Sequence, residues 1–474
     1  MNQTKNKWIV LLTCVLFTFM ATLDGTIVNV ALPTMAKSLS ISSSKIQLVV
    51  TSYLITISAL IMLFGSLGDI MGKIRVFKFG TALFIVSSLL CGIATSFPML
   101  IVFRVLQAIG AAGAMAVNQG IIAETFPGGE RGRALGILGT FVALGSLAGP
   151  PLGGFLIDLL SWHYIFLINI PVGVIAMVLA LRNLPKEDNT IKGKSIDLLG
   201  AALLIGGIVS FFAALEQMES AQVELYGILL PLSISIVIFV AFVYREKKAA
   251  SPLLHLELFR NKIFTIQIIS GMISFAVMYC SNIILPFYLQ DAKGYSASLS
   301  GMILMTAPLL LLFISPLSGA LSDKIGPGML TSLGLLIVSI SLLLMTTFTE
   351  YTSMLIIILF IAIMSVGTGL FQSPNTALVM ASVDKGQLGI AGSINALARN
   401  VGMVLGISLS TTILYNRMSA KAGYQVTDYI AGQEEIFNYG MRCVYIAAAI
   451  LCIVALILST INFRKMKKLQ QSKA

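Results

Sequence analysis

Two charged residues, Asp24 and Arg104, lie in the middle of long apolar runs of this 474-residue sequence. A charged side chain in an apolar medium is costly unless it meets a partner, so we expect these two to face each other. Burial favours the neutral form of a carboxyl group, whereas a nearby cation favours the ionised form. These opposed influences predict that Asp24 can take up and release a proton, and the alternative is a permanent structural ion pair.

Other polar residues at middle depth in the apolar runs could line a substrate cavity, although a polar residue of this kind, taken singly, is more often a helix-packing contact. They are Tyr53, Gln107, Asn118, Tyr279, Asn282, Asn395 and Arg399. Arg399 is also expected to face the protein interior, but no intramembrane acid in its half of the chain is an obvious partner. Glu216, near the end of an apolar run, is either a second proton or cation site or an interfacial acid.

The sequence offers little for enzyme or metal chemistry. The two histidines, His163 and His255, fall in predicted loops far apart, and the five cysteines form no CxxC pair. No Gly-rich phosphate-binding loop and no grouping of Ser, His and an acid are present. We therefore expect no catalytic site, no metal and no cofactor, so the energy for transport must come from an ion gradient or from the substrate's own gradient.

The amino-acid composition indicates which kind of fold positions these candidate residues. Of the sequence, 57% is hydrophobic and 11% charged, which a water-soluble fold could not accommodate. Apolar runs of about 20 residues follow one another, each long enough to cross a bilayer as a helix. The runs predict an all-α polytopic membrane protein whose fourteen spans lie near 8–32, 45–68, 76–96, 98–123, 134–158, 164–183, 198–216, 225–244, 263–288, 299–321, 329–348, 353–379, 390–415 and 439–463.

The net charge of +11 is explained by membrane topology and does not indicate a nucleic-acid partner. With the N-terminus in the cytoplasm, 23 Lys and Arg residues fall on the cytoplasmic side and six outside; the other two lie within spans. The asymmetry predicts that both termini are cytoplasmic. We expect a multi-pass protein of the cytoplasmic membrane.

Sequence motifs recur in the two halves of the chain. Asn29-Val-Ala-Leu-Pro33 returns as Asn282-Ile-Ile-Leu-Pro286, and the glycines Gly145 and Gly149 return as Gly402 and Gly406. The offset between copies, 253 to 257 residues, exceeds the length of six helices by about two helices. The predicted organisation is therefore a six-helix bundle over 1–197, two inserted helices with a linker over 198–262, and a second six-helix bundle with a basic tail over 263–474.

The run from Leu23 to Pro33, Leu-Asp-Gly-Thr-Ile-Val-Asn-Val-Ala-Leu-Pro, resembles the first-helix signature of the fourteen-helix drug:proton antiporter branch of the major facilitator superfamily. Arg104-Val-Leu-Gln107-Ala-Ile-Gly110 is similar to the family's R-x-x-Q-G segment, with Ala108 replacing a glycine. The resemblance covers almost the whole chain. It implies the major facilitator fold and assigns Asp24 and Arg104 to proton coupling.

A second resemblance concerns the loop between spans two and three. Gly65-Ser-Leu-Gly-Asp69-Ile-Met-Gly72-Lys73-Ile-Arg75 resembles the superfamily's loop motif, and Asp323 is its counterpart in the repeat. The resemblance implies a cytoplasmic gate in which Glu124 is a candidate partner of Lys73 or Arg75. The sequence leaves open which basic residue completes it, and a basic loop that only sets topology is the alternative.

The third resemblance lies in span five. Gly145-Ser-Leu-Ala-Gly149-Pro150-Pro-Leu-Gly153-Gly154 resembles the antiporter motif of helix five at every defined position, and the family associates this motif with exporters. Small residues allow close helix contact, and the proline removes a backbone hydrogen bond, which favours a bend. A packing face alone is the alternative. The second copy has Ile407 in place of Pro150.

These patterns together predict a monomeric proton-coupled antiporter that exports small amphipathic or cationic compounds, as multidrug efflux proteins do, by alternating access. Its partners would be a small-molecule substrate and the lipid bilayer. The alternatives are a dedicated exporter of one metabolite, lipid or amino acid, a proton-coupled uptake symporter, and a membrane receptor or scaffold without transport.

Overall fold

The computed structural model describes residues 2–126, 128–184, 197–217, 225–249, 254–384 and 387–471. The described residues are helices joined by short loops, without β-strands. Among them, 14 helices are long and apolar enough to cross a membrane, which confirms the predicted all-α fold and its number of spans. The orientation of the termini stays a prediction from the charge distribution.

Sixteen helical segments make up these spans. The first nine are α1 (Asn2–Leu39), α2 (Leu48–Met71), α3 (Lys73–Gly92), α4 (Phe97–Thr125), α5 (Gly128–Leu159), α6 (Tyr164–Leu167), α7 (Asn169–Asn183), α8 (Leu198–Gln217) and α9 (Leu225–Glu246). The others are α10 (Lys262–Phe287), α11 (Ala297–Leu304), α12 (Thr306–Ile325), α13 (Pro327–Met345), α14 (Met354–Ala381), α15 (Leu388–Ala422) and α16 (Glu434–Gln471).

Several helices extend beyond the predicted apolar runs. Helix α1 continues through Pro33 to Leu39, and α15 continues to Ala422, about two turns past the predicted ends. Hydropathy detects only the part of a helix that contacts lipid tails, whereas the backbone hydrogen-bond ladder can continue into the polar interface. The apolar count therefore located the spans but underestimated helix length.

The chain divides into two compact units. The first comprises Met1–Ala214, Leu225–Leu253 and Ser296–Met302. Within it, α1 packs against α5 and α7, and α4 packs against α2 and α3. Close approach is made possible by glycines: a Cβ placed on Gly80 would lie 2.6 Å from the carbonyl oxygen of Gly110. The crossing of α3 and α4 is thus a backbone-to-backbone contact.

The second unit comprises Leu215–Glu224, Leu254–Tyr295 and Ile303–Ala474, and it repeats the pairing of the first. Helix α10 packs against α15 and α16, and α14 packs against α12 and α13. A Cβ on Gly334 would lie 2.6 Å from the carbonyl oxygen of Gly367, the counterpart of the contact between α3 and α4. The sequence repeat therefore corresponds to a repeated helix arrangement.

The inserted helices α8 and α9 are joined to each other by polar contacts. Asp197 Oδ1 accepts a hydrogen bond from the Gly200 backbone N–H at 2.9 Å and caps α8. The same carboxylate accepts from Arg245 Nε at 3.1 Å. Ser235 Oγ donates to the Gly207 carbonyl at 3.0 Å, deeper in the hairpin. These bonds fix the register of the two helices.

Candidate functional site

Asp24 lies on α1 inside the first unit, with none of its surface exposed. Arg104 Nη1 donates to its Oδ2 at 2.7 Å. Gln107 Nε2 and Asn169 Nδ2 donate to its Oδ1 at 3.0 and 2.8 Å. All three partners are donors, and charge-assisted hydrogen bonds of this kind are matched to an ionised carboxylate.

The Arg104 guanidinium is enclosed as tightly, with 1% of the side chain exposed. Its Nε donates to the Val49 carbonyl at 3.1 Å, and its Nη1 also donates to Gln107 Oε1 at 2.6 Å. The guanidinium lies 4.1 Å from the ring centroid of Tyr53 and 5.5 Å from that of Phe166. Hydrogen bonds and aromatic faces together offset the desolvation of a buried cation.

Gln107 connects the ion pair to a further helix. Its amide nitrogen donates to Ser88 Oγ on α3 at 2.8 Å, and its oxygen accepts from Arg104. The network thus links α1, α2, α3, α4 and α7. From the sequence, Gln107 was a candidate for lining the cavity, and neither Ser88 nor Asn169 was predicted to have a role. The only sequence signal for Asn169 was its amide, two residues before Pro171 in the sixth apolar run.

The glycines of the helix-five motif contact α1, the helix that carries Asp24. A Cβ on Gly145 would lie 2.7 Å from the Phe19 carbonyl oxygen, and one on Gly153 would lie 2.7 Å from Ile27 Cγ1. A Cβ on Gly149 would collide with Thr26 Oγ1. Residues four apart lie on one helix face, so these three glycines form a continuous contact stripe that a larger side chain would force open.

The end of the motif contacts the segment 296–302, which belongs to the same unit. A Cβ on Gly154 would collide with the Ala297 carbonyl oxygen, and Gly301 lies directly against the Pro150 carbonyl. Asp158 Oδ2, at the end of α5, accepts from the Ser298 backbone N–H at 2.8 Å. Helix α5 runs through Pro150 without interruption.

The loop between α2 and α3 is built around Gly72, whose φ of 102° suits a residue without a Cβ. Lys73 forms an ion pair with Glu124, and its Nζ lies 3.8 Å from Asp69 Oδ1. Arg75 is exposed. Of the two basic residues left open by the sequence, Lys73 bonds to Glu124.

The glycines of the loop motif differ in their surroundings. Among the described residues, no atom lies within 4 Å of a Cβ placed on Gly65. The close helix contact lies one turn later, where Gly68 packs against Val117. In the second copy Gly326 has a φ of 86°, matching Gly72, whereas the side chain of Asp323 lies outside the described residues.

The remaining cavity candidates are distributed over both units. Asn118 donates to the Cys14 carbonyl at 3.2 Å and to Thr18 Oγ1 at 2.6 Å, which is a contact between α4 and α1. In the second unit Tyr279 is buried, and the other three candidates there are partly buried, namely Asn282, Asn395 and Arg399. The side chain of Glu216 lies outside the described residues.

Metal-site chemistry finds no support in the part of the chain that the structure describes. No group of three or more His, Cys, Asp or Glu residues there could hold a metal ion. The five cysteines are free; Cys443 is partly buried and the others are buried.

Comparison with known proteins agrees with this architecture. A family model described as the Major Facilitator Superfamily matches residues 14–407. The riboflavin transporter RibZ of Clostridioides difficile is 33% identical over 467 residues, 98% of this chain and 99% of that protein. The multidrug transporter protein MdtP of Bacillus subtilis is 32% identical over 413 residues, 86% of this chain and 75% of that protein.

A more distant relative and a solved structure complete the comparison. The multidrug export protein EmrB of Haemophilus influenzae is 29% identical over 417 residues, 88% of this chain and 82% of that protein. A bacterial homolog of the human lysosomal transporter Spinster, solved in an inward-facing and unoccupied conformation, superposes with a TM-score of 0.67 at 18% identity, covering 98% of each chain. The chain is thus a multi-pass membrane transporter and not an enzyme, and it belongs to the Major Facilitator Superfamily.

Proposed function

We propose that this transporter is a proton-coupled antiporter of the cytoplasmic membrane that exports small amphipathic compounds, cationic ones among them, by alternating access. It would act as a monomer, without a cofactor, with H⁺ as the driving ion. The observation that carries the proposal is the fully buried carboxylate of Asp24, held by Arg104 at 2.7 Å. Similarity to MdtP and EmrB supports the export of more than one compound.

Protonation of Asp24 would remove one of two opposite charges. The neutral carboxyl group accepts hydrogen bonds more weakly, so Arg104, Gln107 and Asn169 would lose much of their attraction for it. Arg104 would then need a new acceptor, and α1 would be free to shift along its contact with α5. Proton entry from outside would favour release of the substrate, and proton loss to the cytoplasm would restore the ion pair.

The cytoplasmic gate would be the ion pairs at the end of α2. Lys73 bonds to Glu124 and approaches Asp69, so the loop motif holds α2, α3 and α4 together at one end. Exposed ion pairs of this kind are individually weak, typically about 0.2–1 kcal/mol, and can be broken in each transport cycle. Asp69, Gly72 and Lys73 would therefore control opening, whereas Asp24 would control coupling.

The test is efflux from proteoliposomes that contain a fluorescent lipophilic cation and carry an imposed pH gradient. We expect the wild-type protein to move the dye against its gradient and Asp24→Asn to lose at least about 100-fold of this rate, because the variant carboxamide cannot exchange a proton. Glu257→Gln, which changes an exposed acid, is the matched control. Undiminished gradient-driven efflux by Asp24→Asn would overturn proton coupling at this residue.

A dedicated exporter of one metabolite is the second candidate. It is favoured by the similarity to RibZ, which extends over nearly the full length of both chains. A panel that contains riboflavin and several unrelated amphipathic dyes separates the two candidates. Transport of riboflavin alone would favour the dedicated exporter, and transport of several unrelated dyes would favour multidrug export.

A further inference from the structure

Arg399 is a guanidinium that none of the described residues of the second unit neutralises. It lies on α15 within a membrane span, and it is partly buried. Its Nε is buried without an acceptor, and none of the described residues forms a hydrogen bond or an ion pair with its terminal nitrogens. Because the Nε is buried without an acceptor, the desolvation of this cation is only partly offset, and an acceptor brought by a ligand would be favoured there.

The position of Arg399 follows from the contacts of its own helix. Further along α15, Gly402 and Gly406 lie against the backbone carbonyls of Met272 and Ala276 on α10. Arg399 is three residues before Gly402, on the same helix face. It therefore lies on the side of α15 that packs on α10.

Two of the other polar candidates lie along the same seam. Asn395 is one turn before Arg399 on α15. Tyr279 is three residues after Ala276 on α10, and it is buried. Among the described residues, none forms a hydrogen bond with the Tyr279 hydroxyl. The seam thus contains a cation and a hydroxyl donor whose hydrogen bonds are unused.

The repeat shows that helix packing does not require this charge. The glycines of α5 that contact α1 correspond to the glycines of α15 that contact α10, 257 residues further along the chain. At this offset, Val142 of the first unit occupies the position of Arg399. Conversely, Val277 occupies the position of Asp24 in the second unit at an offset of 253. The same scaffold is stable with an aliphatic residue at each position.

We propose that Arg399 is a substrate-binding residue that recognises an anionic group, a carboxylate in the clearest case, on the exported molecule. A guanidinium presents parallel N–H donors that match the two oxygens of a carboxylate, and Tyr279 would donate to the same group. The inference rests on the proposed export function and narrows its substrate class. Preferred substrates are amphipathic molecules with an acidic group, and simple lipophilic cations are poorer ones, because Arg104 is already neutralised by Asp24 whereas Arg399 is not.

The experiment compares two forms of one xanthene dye, the zwitterion with a free carboxylate and its methyl ester, which is a monocation. Binding of each to the detergent-purified full-length protein is measured by fluorescence polarisation, without a pH gradient. We expect the acid to bind the wild-type protein at least about tenfold more tightly than the ester, as expected for a charge-assisted hydrogen bond. Arg399→Gln should lose this preference and bind the ester within about twofold of wild type.

Arg399→Lys keeps the charge and should keep part of the preference for the acid, which protects the test if the glutamine variant folds poorly. Equal binding of acid and ester by the wild-type protein, or an unchanged preference in Arg399→Gln, would overturn the inference. Glu257→Gln, which changes an exposed acid, should retain the acid preference. Gradient-driven efflux of the ester without any acid preference would therefore contradict this inference alone, whereas an Arg399-dependent preference without gradient-driven efflux would contradict proton coupling alone.

Discussion

The two units pair their helices in the same way, but they differ in whether their intramembrane arginine has a partner. In the first, Arg104 is 1% exposed and bonded to Asp24, Gln107 and the Val49 carbonyl. In the second, the Nε of Arg399 is buried without an acceptor, and no described acid pairs with the side chain. A repeated scaffold can thus hold one arginine closed within an ion pair and leave another available to a ligand.

The comparison also distinguishes a charge that stabilises the fold from a charge that serves the protein's function. A paired buried charge is part of the structure, so removing one partner strands the other. An unpaired buried charge lowers stability, and it is retained only if something else in the protein's function needs it. Substitution of the paired Arg104 should therefore lower stability, whereas substitution of the unpaired Arg399 should impair activity without lowering stability.

The largest expected difference concerns the two arginines. Arg104→Gln leaves the Asp24 carboxylate without its counter-ion and should lower the free energy of unfolding by about 3–5 kcal/mol. Arg399→Gln removes a desolvated cation and should leave stability unchanged or raise it. Thermal unfolding of the purified variants in detergent measures both. Equal losses of stability would show that Arg399 is structural and would break the comparison.

Glycine contacts provide the next test. Gly149→Leu and Gly406→Leu both force a side chain into α1 or α10, and each should lower stability by about 1–3 kcal/mol. Gly136→Leu is the control, since no atom lies within 4 Å of a Cβ at that position on α5. If Gly136→Leu were as harmful as Gly149→Leu, the stripe on α5 would have no special packing role.

Pro150 distinguishes the two copies of this contact, because Ile407 replaces it in the second. Pro150→Ala should retain expression and thermal stability while lowering the rate of gradient-driven efflux about tenfold, if the missing backbone bond allows α5 to bend during transport. Efflux from proteoliposomes at matched protein density is the measurement. A wild-type rate would reduce the helix-five motif to helix packing.

Two asparagines of the first unit allow a hydrogen bond to a charged acceptor to be compared with hydrogen bonds to neutral acceptors. Asn169→Ala removes a donor to the Asp24 carboxylate and should lower stability by about 1.5–3 kcal/mol, whereas Asn118→Ala removes bonds to neutral acceptors and should cost about 0.5–1.5 kcal/mol. Both variants are compared by thermal unfolding. The reverse order would argue against an ionised Asp24 in this conformation.

The smallest effect is expected at Tyr279. Because its hydroxyl bonds to none of the described residues, Tyr279→Phe should change stability by less than about 0.5 kcal/mol. It should weaken binding of the carboxylate dye about tenfold, as expected for one lost hydrogen bond to an ionised acceptor, and leave the methyl ester unaffected. Equal weakening of both dyes would exclude Tyr279 from carboxylate recognition.

The sequence by itself determined the fold class, the fourteen spans and the repeat, because a bilayer imposes length and polarity on every helix that crosses it. It also singled out Asp24, Arg104 and Arg399, since a charge within an apolar run is visible without a structure. Helix ends were less accessible: α1 and α15 continue into the interface, where hydropathy carries little information.

Only the tertiary structure decided which polar groups meet. Asn169 lies 145 residues from Asp24 along the chain, and Ser88 reaches the network through Gln107; an amide or a hydroxyl has no sequence pattern that names its partner. The structure likewise selected Lys73 as the partner of Glu124, and it placed the close helix contact at Gly68 and not at Gly65. Hydrophobic patterning fixes which face of a helix is buried, whereas hydrogen-bond partners depend on ångström-scale distances that only the packed helices define.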